Sequence, residues 1–156
     1  MNEFQNLIGC PGQITHSSGL GNLIYSLVKS NTFENILELG TWNGMGSTLC
    51  VLKALSEKSP FDRALTRFMS IELYKSMREI AEINLSNFLA WPNFRIMQGR
   101  IIEPDHLNWL DISSIDVRND DHARLWLERD LTELRTAENI LSEIPGEIDL
   151  LILDGG

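Results

Sequence analysis

Four short segments, residues 35–39 ("NILEL"), 67–73 ("RFMSIEL"), 93–99 ("NFRIMQG") and 148–156 ("IDLLILDGG"), are strongly apolar, and stretches of helical period separate them. A strand that is apolar on both faces must be covered on both faces, and helical crossovers in a parallel sheet do this. Right-handed crossovers bring all four strand C-termini to one edge. Ligands of such sheets bind outside that edge, where the strand order reverses. The predicted class is therefore α/β, a doubly wound parallel sheet. The 156 residues suit one domain with a single core.

The helical stretches follow from apolar spacing. Residues 1–18 read as an irregular lead-in with a turn at Pro11-Gly12, and Ser17-Ser18 signal a helix start. A helix over 19–30 places Leu20, Leu23, Ile24, Leu27 and Val28 on one face. From Gly46 a second helix aligns Leu49, Leu52 and Leu55, with Cys50 as a small core residue. A third covers 75–88 and buries Met77, Ile80, Ala81, Ile83 and Leu85. A long helix over 121–144 carries Leu127, Leu131, Leu134, Ala137, Leu141 and Ile144. Asn119, Asp120 or Asp121 caps its start, and Pro145-Gly146 ends it. Residues 101–120 show no period and read as an insertion or loop.

Composition narrows the partners. The net charge is −9 and no Lys/Arg cluster interrupts it, which argues against a nucleic-acid face. Cys10 and Cys50 lack metal-ligand spacing. The N-terminus has neither a basic start nor a long apolar run, and no segment approaches the roughly 18 apolar residues that span a bilayer. The expected compartment is cytoplasmic, with no membrane partner.

The first strand runs into Gly40-x-x-x-Gly44-x-Gly46, which opens the second helix. Helix N-termini bind anions through free amides, so a phosphate is the first ligand to weigh. A P-loop is excluded, because no G-x-x-x-x-G-K-[ST] is present. The glycine spacing is that of short-chain dehydrogenases, but Tyr25 and Lys29, the one Tyr-x-x-x-Lys pair, precede the loop. Glu38 stands two residues before the first glycine, Glu72 ends the second strand and Asp154 ends the fourth. Carboxylates oppose a pyrophosphate and suit a cation, or a ligand offering hydroxyl and ammonium donors.

With those residues in place, "ILELGTWNGMGST" resembles the first motif of class I S-adenosylmethionine-dependent methyltransferases. "MSIEL" is similar to their second motif and "IDLLILDGG" to their fourth. The wording "LGTWNGMGS" is closest to small-molecule and sugar O-methyltransferases. The resemblance implies a Rossmann-like sheet in the order 3-2-1-4 and S-adenosylmethionine as cofactor. It implies that Gly40, Gly44 and Gly46 let the backbone approach the methionine part, and that Glu38 and Trp42 also bind the cofactor. Thr41, Asn43 and Ser47 would contact its carboxylate or amino group, and Glu72 the ribose hydroxyls. Gln98, Gly99 and Arg100 would occupy the adenine edge, and Asp154, the catalytic candidate, would lie beside the sulfonium and the acceptor. The implied acceptor is a small molecule.

The family sheet has seven strands, and strands five to seven are absent from this chain. The single domain over 1–156 is accordingly expected to be incomplete at its C-terminus, with an oligomer or a second chain covering the strand-four edge. No metal is predicted, since partners for Asp154 would fall beyond Gly156. The alternatives are a catalytically incomplete cofactor-binding or interaction module and, more distantly, an NAD(P)-dependent short-chain reductase. Gly40→Val and Glu72→Ala are each expected to abolish cofactor binding without unfolding the domain.

Overall fold

The computed structural model describes residues 5–107 and 121–154. Strands β1 (Asn35–Leu39), β2 (Arg67–Glu72), β3 (Phe94–Gln98) and β4 (Leu150–Leu153) form one sheet in the order β3-β2-β1-β4. Every pairing is parallel, with Glu38 opposite Ser70 and Ile152, and Glu72 opposite Gln98. The helices are α1 (Gly19–Ser30), α2 (Ser47–Ser56), α3 (Pro60–Leu65), α4 (Lys75–Asn84) and α5 (Asp121–Thr136). Expected class, strand order and parallel sense are all present. Among the described residues no helix is long and apolar enough to cross a membrane.

Alternation along the strands sorts the core into two faces. On one face Ile36, Phe68, Phe94 and Ile152 pack with Ile24 and Val28 of α1, with Val51, Leu52 and Leu55 of α2, and with Leu85. Cys50 joins this cluster as a buried residue, as expected of it. On the opposite face Leu37 and Ile71 pack with Ile140, flanked by Leu39, Met69, Met97 and Ile144. Leu151 and Leu153, at the β4 margin, are exposed.

Several elements differ from the expectation. Helix α1 has the predicted span, and Ser18 caps it by accepting from the Gly21 amide at 3.1 Å. Only Ile24 and Val28 of its five apolar residues are buried, because the stripe is wider than the arc that α2 covers. Helix α4 stops at Asn84, four residues early, which leaves Ile83 exposed while Leu85 just beyond the helix is fully buried.

The segment at Pro11-Gly12 is no turn. Gly12 lies against the backbone of Gly46, donates its amide to the Met45 carbonyl at 3.2 Å, and leaves no room for a side chain. Helix α3 was not anticipated. Its start carries Ser59, which accepts from the Asp62 amide, and Pro60 in the first turn.

The long helix ends at Thr136, eight residues before the expected stop. Arg100 causes this break. Its guanidinium donates to the carbonyls of Leu134 and Ala137, and its backbone pairs with the next segment. The Arg100 amide donates to Glu138 at 2.8 Å, and the Ile140 amide donates to Arg100 at 2.9 Å. Ile140 and Ile144 reach the sheet, but from an irregular segment. Proposed cap residues 119 and 120 and most of the 101–120 stretch lie outside the described residues.

Candidate functional site

The turn after β1 is built on two glycines. Gly40 has φ +95 and Gly44 φ +77, both in the left-handed region that favours glycine. A methyl on Gly40 would overlap the Asp154 carbonyl oxygen and lie 2.8 Å from its carbon. A methyl on Gly44 would meet Leu85 Cδ1 at 2.6 Å. Both glycines are therefore required by contacts within the chain. Gly46 differs: it ends the loop as the first cap of α2, which has no side-chain cap bond. Nothing stands nearer than 3.6 Å to its Cβ position, and the Asp154 carboxylate is 3.8 Å from it. Gly46 is itself buried, with Gly12 and Ile14 packed behind it.

Glu38 does not stand at the mouth of the crevice, as its position before the loop suggested. It is fully buried beneath the loop. Thr48 donates to its Oε2 at 2.7 Å, Ser70 donates to the same oxygen, and Ser47 Oγ lies 2.6 Å from its Oε1. Ser47 Oγ is also 2.6 Å from Asp154 Oδ2. Burial raises the Glu38 carboxyl above its ordinary range, and the Asp154 charge adds to that rise. Asp154 itself is only partly buried and is tied into β1 through its amide, which donates to the Leu39 carbonyl at 2.9 Å.

Glu72 lies at the other side of the loop. Its Oε2 accepts the Trp42 amide at 2.6 Å and its Oε1 accepts the Tyr74 amide at 2.9 Å. Burial outweighs these bonds and pushes the carboxyl up to about 7. The Leu73 amide also bonds this carboxyl, and a carboxylate has about four acceptor positions, so about one stays available for a hydroxyl donor. Trp42 takes φ +52, and its ring lies 6.2 Å from that of Trp126 on α5. Both indoles are about two-fifths exposed, 38% and 41%. Tyr74 donates to Asp130 of α5, and Arg129 sits 5.0 Å over its ring.

The side chains of three residues expected to contact the cofactor bond within the chain. The Thr41 hydroxyl is buried against Ser70 Oγ at 2.5 Å. The Asn43 amide donates to the carbonyls of Leu7 (3.3 Å) and Cys10 (2.9 Å), so it ties the N-terminal segment across the loop. Ser47 is held between the two carboxylates. At the third strand, the Gly99 amide donates to the Glu72 carbonyl at 3.0 Å, and Ile140 packs against it. The Arg100 side chain anchors the end of α5 and pairs with Glu103 at 3.2 Å. Gln98 ends β3 opposite Glu72.

Ser70 and Thr48, which complete the Glu38 cluster, lie within "MSIEL" and "ILELGTWNGMGST" but were given no role there. Ser70 faces Glu38 through the strand register alone. Tyr25 and Lys29, meanwhile, sit on α1 with Glu57 within 2.6 Å of both, away from the sheet edge.

No protein-family model and no curated protein matches the sequence. Solved structures do match. The methyltransferase PaMTH1 of Podospora anserina, solved with SAH bound, aligns with 87% of this chain and 40% of its own at a TM-score of 0.53 and 14% identity. The chain has the Rossmann-like fold of the methyltransferases. The O-methyltransferase TomG of Streptomyces achromogenes, in complex with SAM, matches 61% of this chain and 40% of its own at 24% identity and a TM-score of 0.44. An O-methyltransferase from Bacillus cereus, in complex with SAH, matches 65% and 43% at 19% identity and a TM-score of 0.46. The chain thus spans less than half the length of each.

Proposed function

We propose that the C-terminal sheet edge binds S-adenosylmethionine and that the chain is the cofactor-binding part of a methyltransferase acting on an oxygen of a small molecule or sugar. The observation that carries this reading is the placement of two carboxylates, Glu72 and Asp154, on either side of one glycine loop at that edge. Their places at the ends of β2 and β4, on either side of β1, suit a ligand with ribose hydroxyls at one end and a cationic centre at the other. The bound cofactor would supply an activated methyl group on a sulfonium.

The chain's residues would act by binding and orientation. Glu72 would accept a ribose hydroxyl on its remaining acceptor position. Asp154, held by Ser47, would place negative charge beside the sulfonium. The leading amides of α2 have no side-chain cap and would remain for the ligand. The two indoles of Trp42 and Trp126 would border the adenosine. A cytoplasmic setting and a small-molecule acceptor belong to the same proposal. A nicotinamide reductase is disfavoured, because Tyr25 and Lys29 pair with Glu57 on a helix away from this edge.

Calorimetry with S-adenosylmethionine, S-adenosylhomocysteine and NADP tests the reading. Both sulfur ligands are expected to bind and NADP to give no heat. Because ribose hydroxyls favour ionised Glu72, affinity is expected to be about tenfold weaker near pH 6 than near pH 8, on either side of its value of about 7. No heat from either sulfur ligand at protein concentrations well above micromolar overturns the proposal. Binding without turnover across an acceptor panel would instead favour a cofactor-binding module.

A further inference from the structure

The Glu38–Ser47–Asp154 bridge contains too many acceptors for its hydrogens. Ser47 Oγ lies 2.6 Å from Glu38 Oε1 and 2.6 Å from Asp154 Oδ2. A hydroxyl has one hydrogen, so it donates to one carboxylate oxygen only. If both carboxyls were ionised, the second 2.6 Å contact would set a lone pair against a lone pair inside the protein. A proton on one carboxyl turns that contact into a hydrogen bond.

We propose that Glu38 and Asp154 hold one proton and one negative charge between them through Ser47, with the proton on Glu38 and the charge on Asp154. Ser47 is then the positioning residue for the charged group of the crevice. Three observations set the direction. First, Glu38 has no exposed surface, whereas Asp154 is only partly buried, so the charge costs less on Asp154.

Second, the donors around Glu38 are asymmetric. Thr48 and Ser70 both donate to Oε2, which fills it as a carbonyl-type oxygen with two lone pairs. Thr41 in turn lies 2.5 Å from Ser70 Oγ and supplies the hydrogen that Ser70 accepts. Oε1 has only Ser47 beside it, as a donating O–H requires. Every hydrogen then has an acceptor, in the order Glu38 Oε1–H to Ser47, Ser47 to Asp154 Oδ2.

Third, among the described residues the groups packed around Glu38 supply no cation. Asp154 is the charged group that acts on it, and it disfavours a second charge. From α2, the Cys50 thiol feels Glu38, while the Lys53 charge acts on that thiol. Glu72, further along β2, is shifted by its own burial, and the charge that acts on it is Asp130. The pair therefore presents one charge to the crevice rather than two, and Ser47 fixes the oxygen that carries it. This state belongs to the protein without ligand and stands whether or not the cofactor reading does.

Infrared difference spectroscopy tests it. Spectra are recorded well above about 7, where Glu72 is ionised. The carbonyl band of a protonated carboxyl is expected in the wild type, missing from Glu38→Gln and retained in Asp154→Asn. Glu38→Gln is also expected to fold with an unchanged melting midpoint, because the amide repeats the proposed pattern. Its carbonyl accepts from Thr48 and Ser70, and its NH2 donates to Ser47. Absence of the band in the wild type, its survival in Glu38→Gln or its loss in Asp154→Asn overturns the proposal. So does a Glu38→Gln protein that fails to fold.

Discussion

Gly40→Val is expected to unfold the domain or to destabilise it by about 3–5 kcal/mol, from left-handed strain and overpacking together. That is comparable with the whole stability of a small domain, about 5–15 kcal/mol. The residue has φ +95, and its new Cβ would run into the Asp154 carbonyl. Backbone cannot swing aside there as a side-chain tip can. The Asp154 amide is bonded to Leu39, and β1 pairs with β4 along the residues just before it. Relief of the clash would open that pairing. Urea unfolding should show a lower midpoint or no cooperative transition. A folded Gly40→Val protein of unchanged midpoint would contradict the geometry. The sequence alone suggested a folded protein that had lost its ligand. Gly46→Ala is the milder change in this loop, since its Cβ would meet nothing nearer than 3.6 Å.

The stability of the wild type should fall as pH rises from about 4.5 to about 7, by an amount that Glu72→Gln removes. Burial raises the folded-state carboxyl from 4.5 to about 7. Between those values the folded chain holds a proton that the unfolded chain releases, so stability decreases with pH. The contribution is fully present below the unfolded value and is lost as pH passes the folded one. Its size is about 3 kcal/mol, taken from the width of that window. Chemical denaturation of both proteins across the window measures the difference directly. A wild-type curve parallel to that of Glu72→Gln would show that Glu72 is not protonated on folding. Glu72→Ala is a less clean variant than the sequence suggested. It removes the acceptor for two amides, Trp42 and Tyr74, at about 1–3 kcal/mol for each amide left unpaired.

Most of the sheet was legible because buried parallel strands announce themselves as apolar runs. "NILEL" matches β1 residue for residue, and the β2 and β3 segments are within one residue at each end. Convergence of Glu72, Asp154 and the glycine loop at one edge followed from topology alone. What periodicity could not show was the partner of each side chain. Asn43 sits in a motif, yet its partners are the carbonyls of Leu7 and Cys10, more than thirty residues away. Ser70 acquires its role only from a register opposite Glu38. The long helix failed for a similar reason: residues 137–144 keep an apolar rhythm, but Arg100 captures the helix end and redirects them. Helix α3 was legible in Ser59-Pro60 and Asp62 and was missed for lack of an apolar stripe.

Amide chemical shifts recorded during titration with S-adenosylhomocysteine test the central claim most directly, because they locate the ligand. Binding at the C-terminal edge predicts perturbations concentrated in residues 40–47 and 72–74, with a smaller set at 98–99. The groove lined by Arg63, Thr66, Trp91 and Asn93 lies at the opposite, N-terminal edge of β2 and β3 and serves as the internal control. Perturbations confined to that groove, or no perturbation at saturating ligand, would contradict the assignment of the glycine loop as the cofactor site.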